Sequence, residues 1–112
     1  MKKLKIIVKA ERLEDMKRIM DSCETKGLMI SSIMGYGNQK GYTQQYRGNQ
    51  YQVKFLPKIR VETVVDDENA KIIIKEVLKE ISTGDYGDGK IFVYDVEDVI
   101  RIRTGERGES AL

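Results

Sequence analysis

The sequence predicts one α+β domain spanning residues 1–112, with its elements in the order β-α-β-β-α-β. Three observations predict it. Apolar residues recur at helical spacing twice, in Leu13, Met16, Ile19, Met20 and Cys23 and again in Ala70, Ile73, Ile74, Val77 and Ile81. Short runs rich in β-branched residues lie around those stripes, and one of them, Lys58 to Val65, alternates charged with apolar residues. A length of 112 residues gives room for one hydrophobic core and little for a second.

Taken in order, Lys2 to Ala10 reads as a strand through Leu4, Ile6, Ile7 and Val8. Residues 12–25 read as an amphipathic helix with Gly27 as its stop. Leu28 to Tyr36 reads as a second strand and Lys58 to Val65 as a third. Asp66 or Asp67 is placed to cap the next helix, which Gly84 ends. Lys90 to Asp95 and about Ile100 to Arg103 read as two further short strands. This is the split βαβ, ferredoxin-like arrangement with a short C-terminal strand added. Two helices cover only one face of such a sheet, so its other face needs a cover, and packing of subunits supplies one.

Composition excludes several kinds of chemistry. The chain has no histidine, which removes the Ser-His-Asp arrangement and imidazole metal ligands. Its one cysteine, Cys23, ends a helical apolar stripe and reads as a small core residue in a reducing, cytoplasmic compartment. Twenty basic against 18 acidic residues leave a net charge of +2, too little field to argue for nucleic acid as a direct partner. No apolar run is long enough to span a membrane, and the amino terminus lacks a signal-peptide core.

Gly84-Asp85-Tyr86-Gly87-Asp88-Gly89-Lys90 has the glycine and lysine spacing of a phosphate-binding loop. Glycines let backbone N–H groups turn toward an anion, and Lys90 adds a point charge. A P-loop continues with Ser or Thr and a helix, whereas Ile91 to Val96 reads as a strand, which argues against a P-loop ATPase. Two readings stay open for this stretch: a phosphate site, or a tight glycine turn between a helix and a strand.

The connection between the second and third strands is the other informative stretch. A hairpin takes about two to five residues, and here Gly37 to Phe55 runs without apolar periodicity. Tyr42, Tyr46, Arg47 and Tyr51 give it the composition of a contact surface, so residues 37–55 are expected to form a long flexible interaction loop; a merely solvated hairpin is the alternative.

Gly35-Tyr36-Gly37, Gln39-Lys40-Gly41, Tyr46-Arg47-Gly48 with Tyr51, Phe55-Leu56-Pro57-Lys58 and the block from Thr83 to Val96 together resemble the P-II nitrogen-regulatory signal-transduction family. The five motifs stand in family order along the whole chain. The resemblance implies a cytoplasmic homotrimer that is a sensor and not an enzyme. In such proteins ATP and ADP compete for inter-subunit clefts, and 2-oxoglutarate binds together with Mg²⁺ and ATP. Carried over residue by residue, the resemblance places Gly35, Gly37, the Gly87-Asp88-Gly89 turn, Lys90, Arg101 and Arg103 around the triphosphate, and Glu62 and Val64 near adenine and ribose. It gives Gln39 to Mg²⁺ and 2-oxoglutarate, with Lys40 and Gly41 beside it at the loop base, and Lys58 to the far carboxylate of the oxoacid. Arg101 and Arg103, alternating on the last strand, would with Lys90 neutralise a polyphosphate.

The chain departs from the family pattern at four places, one of them conservative, with Tyr36 for the commoner phenylalanine. Asn38 stands where arginine is common and bears on a phosphate contact, and Met29 stands where many members have threonine near adenine. The small-then-acidic pair that usually precedes the modified tyrosine is missing before Tyr51, so both a modified and an unmodified Tyr51 stay open. Tyr46, Arg47 and Tyr51 are the implied partner contacts, Arg47 matching the residue that plugs an Amt-type ammonium channel in some members. Such a channel would recruit the protein to a membrane; enzymes and regulators of nitrogen assimilation are the other implied targets. Other readings are an adenylate-binding regulator without oxoacid response, an ATPase on the glycine loop, a single-strand RNA reader using Phe92 and Tyr94, and a trimeric scaffold without ligands.

Overall fold

The apolar stripes and the alternating runs meet in one two-layer sandwich of sheet and helices. A computed structural model describes residues 1–36 and 55–112 in full and, between them, the backbone of 43–46 and 49–52. Strand β1 (Lys2–Lys9) leads through a single 3-10 turn into helix α1 (Leu13–Ser22). Strand β2 (Met29–Tyr36) follows, then a two-stranded ribbon of β3 (Thr43–Tyr46) and β4 (Asn49–Gln52). Strand β5 (Phe55–Val65), helix α2 (Asp67–Ile81) and strand β6 (Lys90–Asp95) complete the order. The main sheet runs β2-β5-β1-β6, antiparallel throughout, as the split βαβ order requires.

Alternation decides which side chains form the core. Leu4, Ile6 and Val8 of β1 and Ile59, Val61 and Val65 of β5 point to the helical face, where Met16, Ile19 and Met20 of α1 and Ala70, Ile73, Val77 and Ile81 of α2 close over them. Each large side chain buried there contributes about 1.5–3 kcal/mol. Cys23 is buried at the end of the α1 stripe, as its position in the periodicity predicts. Thr63 is the polar member of the buried face, and its hydroxyl donates to the carbonyl of Gly27, tying β5 to the segment that enters β2.

The ends of the elements follow local hydrogen bonding more closely than glycine position. Helix α1 stops at Ser22, well before Gly27. Glu24 takes the left-handed conformation at φ 54°, the Glu24 N–H donates to Asp21 O at 3.1 Å and the Thr25 N–H to Met20 O at 3.2 Å. These two bonds make a Schellman closure with a glutamate where glycine is usual. At α2, Asp66 is the cap, its carboxylate accepting from the Asn69 N–H at 2.8 Å. Strand β5 begins at Phe55, three residues before Lys58, and accommodates Pro57 because β1 has already ended at the Lys9–Lys58 pair, leaving a partner strand on one side only.

One expected element is absent in its expected form. Ile100 to Arg103 is not a strand: Ile100 makes an isolated bridge with Arg107, and the chain reverses between them through Gly105 at φ 74°. The Arg101 N–H donates to Glu106 O at 2.9 Å and the Gly105 N–H to Arg101 O at 2.7 Å, so the alternating run pairs with its own continuation instead of with the sheet. Among the described residues no helix is long and apolar enough to cross a membrane.

Candidate functional site

The face of the sheet turned away from the helices is open and basic. Lys3, Lys5, Ile7 and Lys9 of β1 lie on it beside Lys58, Arg60, Glu62 and Val64 of β5, with Lys90, Phe92 and Tyr94 from β6. Glu62 is ion-paired to Lys3 at 3.4 Å and to Arg60 at 3.1 Å, and Lys5 lies over the rings of Tyr94 and Phe92 at 5.3 and 5.9 Å. Met29, Phe92 and Tyr94 are exposed here, an apolar complement to the charges.

At one end of this face three lysines stand on neighbouring strands. Lys58 is the register partner of Lys9, and Lys90 is the partner of Ile7, two residues from Lys9 along β1. The Lys58 stem crosses β2 at Gly35, where an added Cβ would stand 2.6 Å from Lys58 Cγ. Glycine at 35 is therefore what gives the lysine its path. Beyond it, Lys58 Nζ donates to the carbonyl of Gly87 at 3.3 Å. Burial, and then the neighbouring Lys9, hold the Lys58 ammonium below the ordinary lysine pKa.

The turn from residue 83 to 89 is shaped by its own side chains. Gly84, Gly87 and Gly89 all have positive φ, at 85°, 93° and 117°. Gly89 is pressed against β1: a Cβ there would lie 1.9 Å from the carbonyl oxygen of Ile7. The Asp88 carboxylate faces back into the turn, accepting from the Thr83 N–H at 2.7 Å, the Thr83 hydroxyl at 2.6 Å and the Gly84 N–H at 3.0 Å. The Thr83 hydroxyl, and then the backbone N–H groups, lower the Asp88 pKa. Lys90 is the first residue of β6, so the strand expected after the glycine loop is present.

The expected site residues thus divide into groups. Gly35, Lys58 and Gly87 come together through direct contacts, with Gly89 and Lys90 at the adjoining start of β6. Glu62 and Val64 share the face with Lys58 but lie about 13 and 20 Å further along β5 at ordinary strand rise. Arg101 is engaged elsewhere, ion-paired to Glu106 at 3.0 Å and donating to the carbonyls of Ser110 and Leu112 at 3.2 and 3.4 Å. Arg103 is exposed in the turn at 102–104 and is not on a strand. Gly37, Asn38, Gln39, Lys40, Gly41 and Arg47 lie outside the described residues, as do the side chains of Tyr46 and Tyr51, whose backbones pair within the ribbon of β3 and β4. Met29 is the register partner of Glu62.

Sequence reasoning missed two residues. Lys9 was legible as the end of the basic alternation Lys3, Lys5, Lys9, and Thr83 as the hydroxyl preceding the glycine run. The donor set at Lys9, Lys58 and Lys90 fits anionic ligands, carboxylate or phosphate. Among the described residues no group of three His, Cys, Asp or Glu side chains is placed to hold a metal ion.

A ferredoxin-like α+β domain with a glycine turn bound to a lysine on an open basic sheet is the class that fold and site define. The model of the family described as Nitrogen regulatory protein P-II matches residues 1–106. The chain is 46% identical over 112 residues, the full length of both, to a Nitrogen regulatory protein P-II of Pasteurella multocida. It is 42% identical, again over the full length of both, to Nitrogen regulatory protein P-II 1 of Escherichia coli. Nitrogen regulatory protein P-II 2 of Methanothermobacter thermautotrophicus is 40% identical over the whole of this chain and 97% of its own length. The chain belongs to the P-II family, a family of regulators and not of enzymes. The ATPase reading of the glycine loop is thereby set aside.

Proposed function

We propose that this chain is a homotrimeric nitrogen-status sensor. It binds ATP or ADP competitively in inter-subunit clefts, binds 2-oxoglutarate with Mg²⁺ and ATP, and controls target proteins through residues 37–55. The observation that carries this reading is the contact of Lys58 with Gly87 across Gly35, which puts a cation for a carboxylate against the turn that would receive a polyphosphate.

Within that reading, the N–H groups of the Gly87-Asp88-Gly89 turn and Lys90 bind phosphates of a nucleotide, with Gly35, Gly37 and Asn38 at the base of the loop beside them. Lys58 orients the far carboxylate of the oxoacid. Gln39 would contribute to holding Mg²⁺, which would supply positive charge to offset that of the phosphates; Lys40 and Gly41 flank Gln39 in the sequence. Glu62 and Val64 stand near the base and ribose. Arg101 and Arg103 reach the phosphates of a neighbouring subunit's site, Arg101 being held by the C-terminal segment in its own chain. Met29, Phe92 and Tyr94, exposed on the open sheet face, support its burial between subunits.

A ligand that fixes Gln39 and Lys40 restricts the segment beyond them, so a target that fits one arrangement of residues 37–55 is gained or lost. Tyr46, Arg47 and Tyr51 are the contacts offered to such a target, an Amt-type ammonium channel or an enzyme or regulator of nitrogen assimilation, with Tyr51 also available for modification. Calorimetric titration of 2-oxoglutarate into protein held with Mg-ATP, Mg-ADP or no nucleotide tests the reading. Binding in the Mg-ATP sample alone supports it; nucleotide binding without any oxoacid response leaves an adenylate-binding regulator, and no binding of either ligand overturns it.

A further inference from the structure

An aspartate in a turn that receives phosphate opposes its ligand unless its charge is used elsewhere, and here the Asp88 carboxylate is turned into the start of the turn. We infer that Asp88 is a positioning residue: with Thr83 it clasps residues 83–88 into the shape in which the turn's N–H groups receive the polyphosphate, and its side chain does not touch the ligand. The inference rests on the nucleotide-binding reading above.

The geometry of the clasp is specific. One carboxylate oxygen takes both the Thr83 and Gly84 N–H groups, at 2.7 and 3.0 Å, and the other takes the Thr83 hydroxyl at 2.6 Å. That hydroxyl in turn accepts from the Asp85 N–H at 3.2 Å. Two consecutive residues at the exit of α2 are thus tied to a residue four or five positions on, with the Asp85 N–H joined to them through the Thr83 hydroxyl, and the intervening chain closes as a ring. The far side of the ring is fixed independently. Gly89 is packed on the Ile7 carbonyl, and Gly87 O is held by Lys58. Gly87 and Asp88 therefore lie between two anchors, the sheet and the clasp, and the N–H groups between them are set before a ligand arrives. Preorganised donors of this kind bind an anion without the cost of ordering a loop. The low pKa of Asp88 keeps it charged, and therefore able to accept all three bonds, throughout the neutral range.

Hydrogen exchange on the nucleotide-free protein, paired with calorimetry using Mg-ATP as the probe, tests the assignment. Asp88→Asn and Asp88→Ala are expected to speed exchange of the Thr83, Gly84 and Asp85 amides while the β1 amides keep wild-type protection, and to weaken Mg-ATP about tenfold, the loss of one charge-assisted hydrogen bond. Thr83→Val breaks the clasp from the other side and should match them. Thr83→Ser restores the hydroxyl and should behave as wild type, and the double variant Asp88→Asn with Thr83→Val should bind no more than about twofold worse than either single. Weakened Mg-ATP with unaltered exchange would mean that Asp88 meets the ligand directly and would overturn the inference; so would faster exchange with unchanged affinity, or no change in either. Failure of the wild type to bind Mg-ATP overturns the nucleotide reading and this role with it, whereas wild-type binding with an indifferent Asp88→Asn overturns this inference alone.

Discussion

Lys58 Nζ lies 3.3 Å from the carbonyl oxygen of Gly87, so a side chain from the middle of the sheet and the backbone of the turn after α2 are joined. An ammonium has three donors, and this contact uses one. The others are available to a carboxylate placed at the same point, so on the proposed reading this residue would bridge the oxoacid and the turn.

Replacing Lys58 by alanine should therefore abolish the 2-oxoglutarate response while the assembly stays intact, read by calorimetry and by size-exclusion with light scattering; Gln39→Ala should do the same. A normal response in either would move the effector site elsewhere. The lowered pKa of Lys58 also sets a direction with pH. Binding of a carboxylate should fade on the alkaline side before 10.5, the ordinary lysine value. The same burial disfavours the folded state while Lys58 is charged, so its contribution to stability is unfavourable below the lowered pKa and is relieved between that pKa and 10.5.

Gly35 and Gly89 should respond to alanine in different ways. At Gly89 the new methyl group would meet the Ile7 backbone at 1.9 Å with φ at 117°, and backbone cannot move aside cheaply. Strain of this kind costs of order 1–3 kcal/mol before the clash is counted, seen as a lower denaturant midpoint. At Gly35 the obstacle is the flexible stem of Lys58, so Gly35→Ala should leave the midpoint within about 1 kcal/mol of wild type and act instead by displacing Lys58, weakening the oxoacid.

Ile73 is wholly buried and Ile102 is 100% exposed. Ile73→Ala should cost about 2–5 kcal/mol in equilibrium unfolding, the range for deleting a buried aliphatic side chain. Ile102→Ala should change stability of the single chain by no more than about 0.5 kcal/mol. A larger effect of Ile102→Ala that depends on protein concentration would place the turn at 102–104 in the subunit interface.

Arg101 is engaged by Glu106 at 3.0 Å and by the carbonyls of Ser110 and Leu112. If Arg101 serves a neighbouring phosphate, Glu106 competes for it. Glu106→Gln should then tighten Mg-ATP a few-fold in calorimetry, with little change in stability because the pair is partly exposed. Unchanged or weaker nucleotide binding would mark the pair as a fixed clasp of the C-terminal segment.

The helices, four sheet strands and most core residues were legible in the sequence because each depends on a period: apolar positions at 3.6 residues in α1 and α2, alternation in β1 and β5. Local chemistry was legible too, since Asp66 caps α2 with atoms only three residues away. Where sequence reading failed, the deciding contacts were not periodic. Gly27 was a reasonable stop for α1, but Glu24 closed the helix first through two backbone bonds. Ile100 to Arg103 alternates like a strand, yet strand formation needs a partner edge, and Gly105 turned the chain back on itself before one was met. The charged residues of the site were visible as candidates. That Lys58 meets Gly87 over Gly35, that Lys9 stands beside it, that Asp88 faces inward and that Arg101 is already paired were decided by tertiary structure, because each depends on strand register and close approach between segments far apart in the chain.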